Sequence, residues 1–428
     1  MTLSPPQTQP AQTLAEQILS HACGRPTFAG EVVTCAVDLA MVHDSIAPAV
    51  IRILTGDLGA AGVWDRERVA VAIDHVAPAA TIQTATAQDG VRRWAIEQDL
   101  PHFFETGRGI CHQVILEERL ARPGMLVVGS DSHSTAYGAA GAFGTGMGAT
   151  DIALALATGQ TWLRVPETVL VRARGELRPG VSAKDVALHI ARELRADGAT
   201  YEAVEYHGFD AFTLGERTTL TSMAVEVGAK AGIVAPTGPA LASYDVPEWF
   251  GVQPGASYRR VLEVDLGALE PQIAAPSFVD NVTDLGAVAG GDPIAVNVVY
   301  LGTCTNGRHE DMAAAARILR GRRVARGVRL IVVPASSQAL QQAAEDGTLS
   351  VLLEAGAAIG TPGCGACIGR HMGVLAPGDV CLFTGNRNFR GRMGSPEAQI
   401  YLGSPEVAAA TAVTGFLTDP RALGASPA

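Results

Sequence analysis

Apolar residues fall in short blocks along this chain. Each block breaks into a polar or glycine-rich turn, and a helical stretch follows. Arg68–Ile73 (RVAVAI) breaks at Asp74-His75, and Met125–Val128 at Gly129-Ser130-Asp131-Ser132-His133-Ser134. Ile294–Leu301 breaks at Gly302-Thr303-Cys304-Thr305-Asn306, and Ala357–Ile359 runs into Pro362-Gly363-Cys364-Gly365-Ala366-Cys367. Val380–Phe383 meets Gly385-Asn386-Arg387-Asn388-Phe389. Thr13–Cys23 and His309–Leu319 read as helices. Unbroken apolar strands separated by helices predict mostly parallel sheets covered on both faces, an α/β protein of several α/β/α units. Such sheets build their sites beyond the carboxyl ends of the strands, so the five polar turns are expected around one cavity. The patterning is interrupted at Asn281–Asp292. A seam there predicts a flexible head (residues 1–12), an N-terminal lobe (13–280) and a C-terminal lobe (281–428).

Composition narrows the class. The 428 residues are 47% hydrophobic and 18% charged, which suits two or three packed units and excludes a disordered chain. A net charge of −11 argues against a nucleic-acid partner, since phosphate binding needs clustered cations. Of the 32 basic residues only Lys184 and Lys230 are lysines, a bias with either a coding or a chemical origin. Met1–Thr13 is polar, without a basic start and an apolar run, and no apolar stretch reaches the ~18–20 residues of a membrane span. Seven cysteines are too few for a disulfide framework. A reduced, cytoplasmic setting is expected.

Two groups of residues carry chemistry. Cys364 and Cys367 form a C-x-x-C pair in a tight turn, and Cys304 sits in another. From spacing alone these are structural or redox cysteines, a zinc site completed by His371, or three thiolates of an iron–sulfur cluster with one iron left open. Cys23 and Cys381 follow apolar residues and read as core. The second group pairs acids with imidazoles: Asp74-His75, His112, Asp131-Ser132-His133 and Glu205-Tyr206-His207. A carboxylate on one ring nitrogen fixes the tautomer and raises the basicity of the other. His21, His43, His102, His189 and His309 lack such a setting and are expected at the surface or in packing. Arg387, Arg390 and Arg392 share a loop suited to bidentate capture of carboxylates. Gly141–Gly148 (GAFGTGMG) lacks both the G-x-G-x-x-G spacing and a P-loop lysine, and reads as close backbone packing.

Taken in order, Val128–Ser134, Gly302–Arg308, Pro362–Cys367 and Asn386–Arg392 resemble the aconitase superfamily of iron–sulfur dehydratases, over about Thr13–Pro420. Within it, Glu310-Asp311 and Ile400–Pro405 look most like the large subunits of the branch that acts on isopropylmalate. The resemblance implies α/β/α units packed around a 4Fe–4S cluster on Cys304, Cys364 and Cys367, with Asn306 and Asn386 beside it. It implies that His75, paired with Asp74, protonates a leaving hydroxyl. It also implies that Asp131 supports His112, that Glu205 supports His133, and that Ser132, Arg387 and Arg392 contact substrate. Single-chain aconitases carry a mobile C-terminal domain with a serine base and a further arginine. This chain stops soon after Pro420, so a separate small subunit is expected to supply that part. The chemistry implied is loss and re-addition of water, leading from 2- to 3-isopropylmalate in leucine biosynthesis. Homoaconitase and methylmalate, dimethylmalate or citraconate hydratases are the alternatives within the family; an RNA-binding cluster sensor or a zinc-held binding module are those outside it. Thr303 stands where serine is commoner, and Pro276-Ser277-Phe278-Val279-Asp280 replaces the usual Pro-His-x-Pro-Asp.

Overall fold

Thr13 closes a capping box with Glu16 and starts the first helix, Leu14–Cys23, which Gly24 ends in the left-handed region. The computed structural model describes residues 10–289 and 291–423. Of the expected head, residues 1–9 lie outside the described residues. Gln12 is held: its amide N–H donates to Gln253 Oε1 at 2.8 Å and its side chain to Ser20 Oγ at 2.7 Å.

The apolar blocks form strands in four sheets. An antiparallel ribbon pairs β1 (Val32–Ala36) with β7 (Gln160–Arg164). A parallel five-stranded sheet takes β2 (Leu39–His43), β3 (Val69–Ala72), β4 (His102–Phe104), β5 (Leu126–Gly129) and β6 (Phe143–Gly146), in the order β4-β3-β2-β5-β6. A parallel four-stranded sheet holds β8 (Thr168–Arg174), β9 (Ala203–His207), β10 (Ala231–Val234) and β11 (Arg260–Asp265), in the order β10-β9-β8-β11. The seven-stranded sheet comprises β12 (Gln272–Ala274), β13 (Val282–Asp284), β14 (Val298–Leu301), β15 (Arg329–Val332), β16 (Ala358–Ile359), β17 (Val380–Phe383) and β18 (Gln399–Leu402). Its order is β13-β12-β18-β17-β14-β15-β16, parallel from β18 onward, with β12 antiparallel to both neighbours. The seven-stranded sheet therefore includes Gln272–Ala274, on the N-terminal side of the Asn281–Asp292 interruption. The strand expected from Ile294 starts only at Val298. Asn297 before it is occupied by side-chain bonds to Asp379 Oδ1 (3.0 Å) and from the Val380 N–H (2.8 Å).

One continuous buried cluster runs from Met41 and Ala72 through Val171 and Tyr206 to Tyr300, Cys304, Cys364 and Phe383, so it ties the three larger sheets together. Beyond β5, Ser132–Ala140 winds in 3₁₀ turns that lie directly on β10. The glycines make that approach possible. A Cβ on Gly138 would fall 1.5 Å from the Gly232 carbonyl oxygen, and one on Gly146 would fall 2.7 Å from that of Asp131. The Gly141–Gly148 run thus packs backbone against backbone, as its spacing suggested. Gly138→Ala is expected to cost ~3 kcal/mol, since the Gly232 backbone cannot yield cheaply. An unchanged denaturant midpoint would contradict the close approach.

Candidate functional site

The carboxyl end of β3 delivers Asp74 and His75, that of β5 delivers Asp131–His133, and the helix Cys111–Glu117 brings His112 between them. Asp131 is the node. One carboxylate oxygen lies 2.8 Å from His112 Nε2 and 3.3 Å from His133 Nδ1, and the other lies 3.5 Å from His75 Nε2. These three contacts outweigh burial and hold the Asp131 carboxyl well below its ordinary range. Asp74 fixes His75 from behind: its Oδ1 meets Nδ1 at 2.8 Å, and its Oδ2 accepts the Cys111 N–H at 2.7 Å. His75 Nε2 is thereby turned toward Asp131 and the cavity. Burial would lower the His75 imidazolium, but the Cys364 sulfur and the two carboxylates raise it well above its usual value.

The seven-stranded sheet supplies the opposite wall. The turns after β14, β16 and β17 carry Cys304, Cys364-Cys367 and Asn386–Arg392. Cys364 N–H donates to the Asp74 carbonyl at 3.0 Å, which joins the cysteine turn to the acid–base turn. Asn386 Nδ2 lies 3.5 Å from Cys304 Sγ and 3.0 Å from Thr305 Oγ1, and Arg392 Nη2 lies 3.1 Å from Cys367 Sγ. Burial pushes the Cys364 thiol up to about 12, and the Cys304 thiol higher still. Thiols so placed ionise only beside added positive charge. Around them Asn306 Oδ1, Asn386 Oδ1 and Arg392 Nε are buried without hydrogen-bond partners. Three buried sulfurs ringed by unsatisfied polar atoms fit a metal group. Ser132 is half-buried, its Oγ 3.5 Å from His133 Nδ1.

One expected pairing is corrected. His133 Nε2 meets Glu226 Oε1 at 2.8 Å, and Glu226 also pairs with Arg387 Nε at 2.8 Å. Glu205 lies elsewhere. From β9 its carboxylate accepts the Leu14 and Ala15 N–H groups at the start of the first helix, and it lies 3.2 Å from both His207 Nε2 and Tyr258 Oη. It therefore anchors the first helix and leaves His133 to Glu226. Glu226 sits on the 3₁₀ turn Ala224–Val227, and its signal was a lone carboxylate inside the apolar run Met223–Val227.

His43 and Asp44 were also missed. Rather than packing as filler, His43 ends β2 with its ring stacked on His75, centroids 3.8 Å apart, and its Nδ1 buried without a partner. Burial and the neighbouring imidazole push it down to about 3, so it is neutral. Asp44 accepts the His75 N–H at 3.0 Å and Gln88 Nε2 at 2.8 Å. Among the described residues, His43, Asp44, Asp74 and His75 are the group whose ligand atoms all lie within 4.8 Å of one another. Asp44 and Asp74 both bond to His75 and His43 stacks on it, which makes this an acid–base network.

Fold and site together define a hydro-lyase of the aconitase type. The model of the aconitase family (aconitate hydratase) matches residues 29–415, and the chain belongs to that family. It is 66% identical over 411 residues to the 3-isopropylmalate dehydratase large subunit of Herpetosiphon aurantiacus, covering 96% of this chain and 97% of the relative. It is 59% identical to the homoaconitase large subunit of Thermus thermophilus (96% and 98% covered), and 56% identical to a 3-isopropylmalate dehydratase large subunit of Deinococcus radiodurans (98% and 96%). The holo-form crystal structure of Thermococcus kodakaraensis aconitase X shares the fold, with a TM-score of 0.53 at 15% identity over 86% of this chain and 88% of that one.

Proposed function

We propose that this chain is the large subunit of a two-subunit, cytoplasmic 4Fe–4S hydro-lyase that interconverts 2- and 3-isopropylmalate through an alkene. The observation that carries the reading is the facing of two walls: three buried cysteines opposite a carboxylate that touches three imidazoles, with two arginines between. Cys304, Cys364 and Cys367 would hold the cluster, which when bound supplies a Lewis-acidic iron for the substrate's hydroxyl and carboxylate.

Each side chain then has a task. His75, held through Nδ1 by Asp74, presents Nε2 to the leaving hydroxyl and gives it a proton. Asp131, braced by His112 and His133, keeps that imidazole turned into the cavity. Arg387, anchored by Glu226, and Arg392, set beneath the Phe389 ring, offer cationic forks to the substrate's carboxylates. Ser132 lies within reach of the same ligand. All seven cysteines are unpaired, as a reducing compartment requires. No helix among the described residues is long and apolar enough to cross a membrane.

The relatives are named as large subunits, so a small subunit is the expected partner in a heterodimer, and the large chain alone should be inactive; turnover of isopropylmalate by the purified large chain at the rate of the pair would overturn this. Anaerobic purification tests the centre: about four irons per chain and a brown spectrum are expected, whereas colourless protein holding zinc would overturn it. Turnover of 2-isopropylmalate, homoaconitate and citraconate by the reconstituted pair then decides the substrate. The Thermus relative makes homoaconitate the second reading.

A further inference from the structure

The two lysines stand apart from a basic surface made of arginine. Exposed ion pairs throughout the chain use arginine, among them Arg25, Arg52, Arg66, Arg93, Arg172 and Arg178. Lys230 is half-buried, its Nζ 3.4 Å from the Gly146 carbonyl. Lys184 is 0% exposed. A coding bias accounts for arginine at the surface but not for a lysine retained where no water reaches.

The surroundings of Lys184 supply a reason. Its Nζ donates to the Thr384 carbonyl at 3.0 Å and to the Gly385 carbonyl, the first two beyond β17. The acids nearest to it are engaged elsewhere. Asp185 accepts the Gln272 and Ser182 N–H groups, each at 2.8 Å, Asp311 accepts Asn306 Nδ2 at 2.8 Å and the Arg308 N–H at 2.9 Å, and Glu226 holds His133 and Arg387. The ammonium is therefore solvated by carbonyls alone, and burial pushes it down to about 7. A guanidinium carries five donors in a rigid fork, which two carbonyls cannot satisfy.

The carbonyls that Lys184 grips belong to the turn that faces the cysteines. Thr384 Oγ1 accepts the Gly302 N–H at 3.0 Å, and Asn386, two residues on, points Nδ2 at Cys304 Sγ. Of the ionisable groups that raise the ammonium, Cys304 acts most strongly once its sulfur is ionised.

We infer that Lys184 is a positioning residue for the cysteine centre: it clamps Thr384 and Gly385, seats Asn386 against Cys304 and, when protonated, sets a positive charge behind the centre. This rests on the iron–sulfur reading above. A cationic neighbour stabilises added electron density, so it raises the centre's reduction potential.

The test compares the anaerobic two-subunit wild-type enzyme with Lys184→Met and Lys184→Arg. Iron content and visible spectrum are recorded first, then an EPR-monitored redox titration. At the wild-type midpoint, Lys184→Met is expected to show a ratio of reduced to oxidised centre ~10-fold lower, a fall of 59 mV for one electron. Lys184→Arg keeps the charge and should hold the ratio within ~3-fold while lowering kcat through displacement of Asn386. An unchanged midpoint in iron-loaded Lys184→Met overturns the inference. If that variant does not fold, Lys184→Arg decides: a 10-fold fall in the ratio or an unchanged kcat overturns it, and a retained midpoint with a lowered kcat supports it. Wild-type protein without iron would instead remove the iron–sulfur reading, and this inference with it.

Discussion

Exchange of His75 for asparagine is expected to lower turnover by ~10³-fold while leaving the iron content of the protein unchanged. The geometry separates the two effects. His75 belongs to the five-stranded sheet and takes its orientation from Asp74, Asp44 and Asp131, whereas the cysteines hang on turns of the seven-stranded sheet. Removing the imidazole takes away the positioned proton donor, and general acid–base catalysis is typically worth two to four orders of magnitude. Asparagine keeps a polar group beside Asp74 without a titrating nitrogen at the cavity. The variant must be assayed at matched iron loading, with kcat and KM measured separately. A fall confined to kcat identifies a group that acts on the bound substrate. Full turnover would remove His75 from the acid role, and loss of iron would make it a structural support of the cysteine turn instead.

The repeated strand-into-turn pattern makes most of this site legible in the sequence. His309–Leu319 and Val380–Phe383 form with the bounds that their apolar blocks suggested. Parallel strands carry the loops of each sheet to one end, and the turns of the five- and seven-stranded sheets meet there across the cavity. His43-Asp44 obeys the same grammar, following Leu39–Val42 as Asp74-His75 follows Arg68–Ile73, yet His43 by itself reads as a surface or packing residue. Its setting depends on β2 lying beside β3, a register that no local window contains. The partner of His133 was hidden for a related reason. Glu205 and His207 are two apart on β9, so both project from one face of that strand, and their proximity in sequence describes β9 alone. The carboxylate that reaches His133 comes from 93 residues away. Side-chain partners across sheets follow from tertiary packing, whereas turn motifs follow from the chain itself.

These two glutamates can be told apart by one pair of substitutions. Glu226→Gln preserves shape but removes the charge that holds Arg387 and His133. Arg387 is half-buried and meets Glu226 at 2.8 Å, so without that anchor its guanidinium loses its set direction toward a substrate carboxylate. Misplacing a substrate clamp by about 1 Å costs ~10²-fold, and a loss of that size in kcat/KM is expected, with iron content and thermal midpoint close to wild type. Glu205→Gln should do the reverse. Its carboxylate caps the N-terminus of Leu14–Cys23 and meets Tyr258 and His207, and it has no contact with His133. Loss of that fully buried acceptor charge is expected to cost ~1–3 kcal/mol of stability, with kcat/KM nearly unchanged. Activity lost in Glu205→Gln and kept in Glu226→Gln would restore the Glu205–His133 pairing that the resemblance implied. The opposite result makes Glu226 the group through which β10's neighbouring turn controls both an imidazole on one wall of the cavity and an arginine on the other.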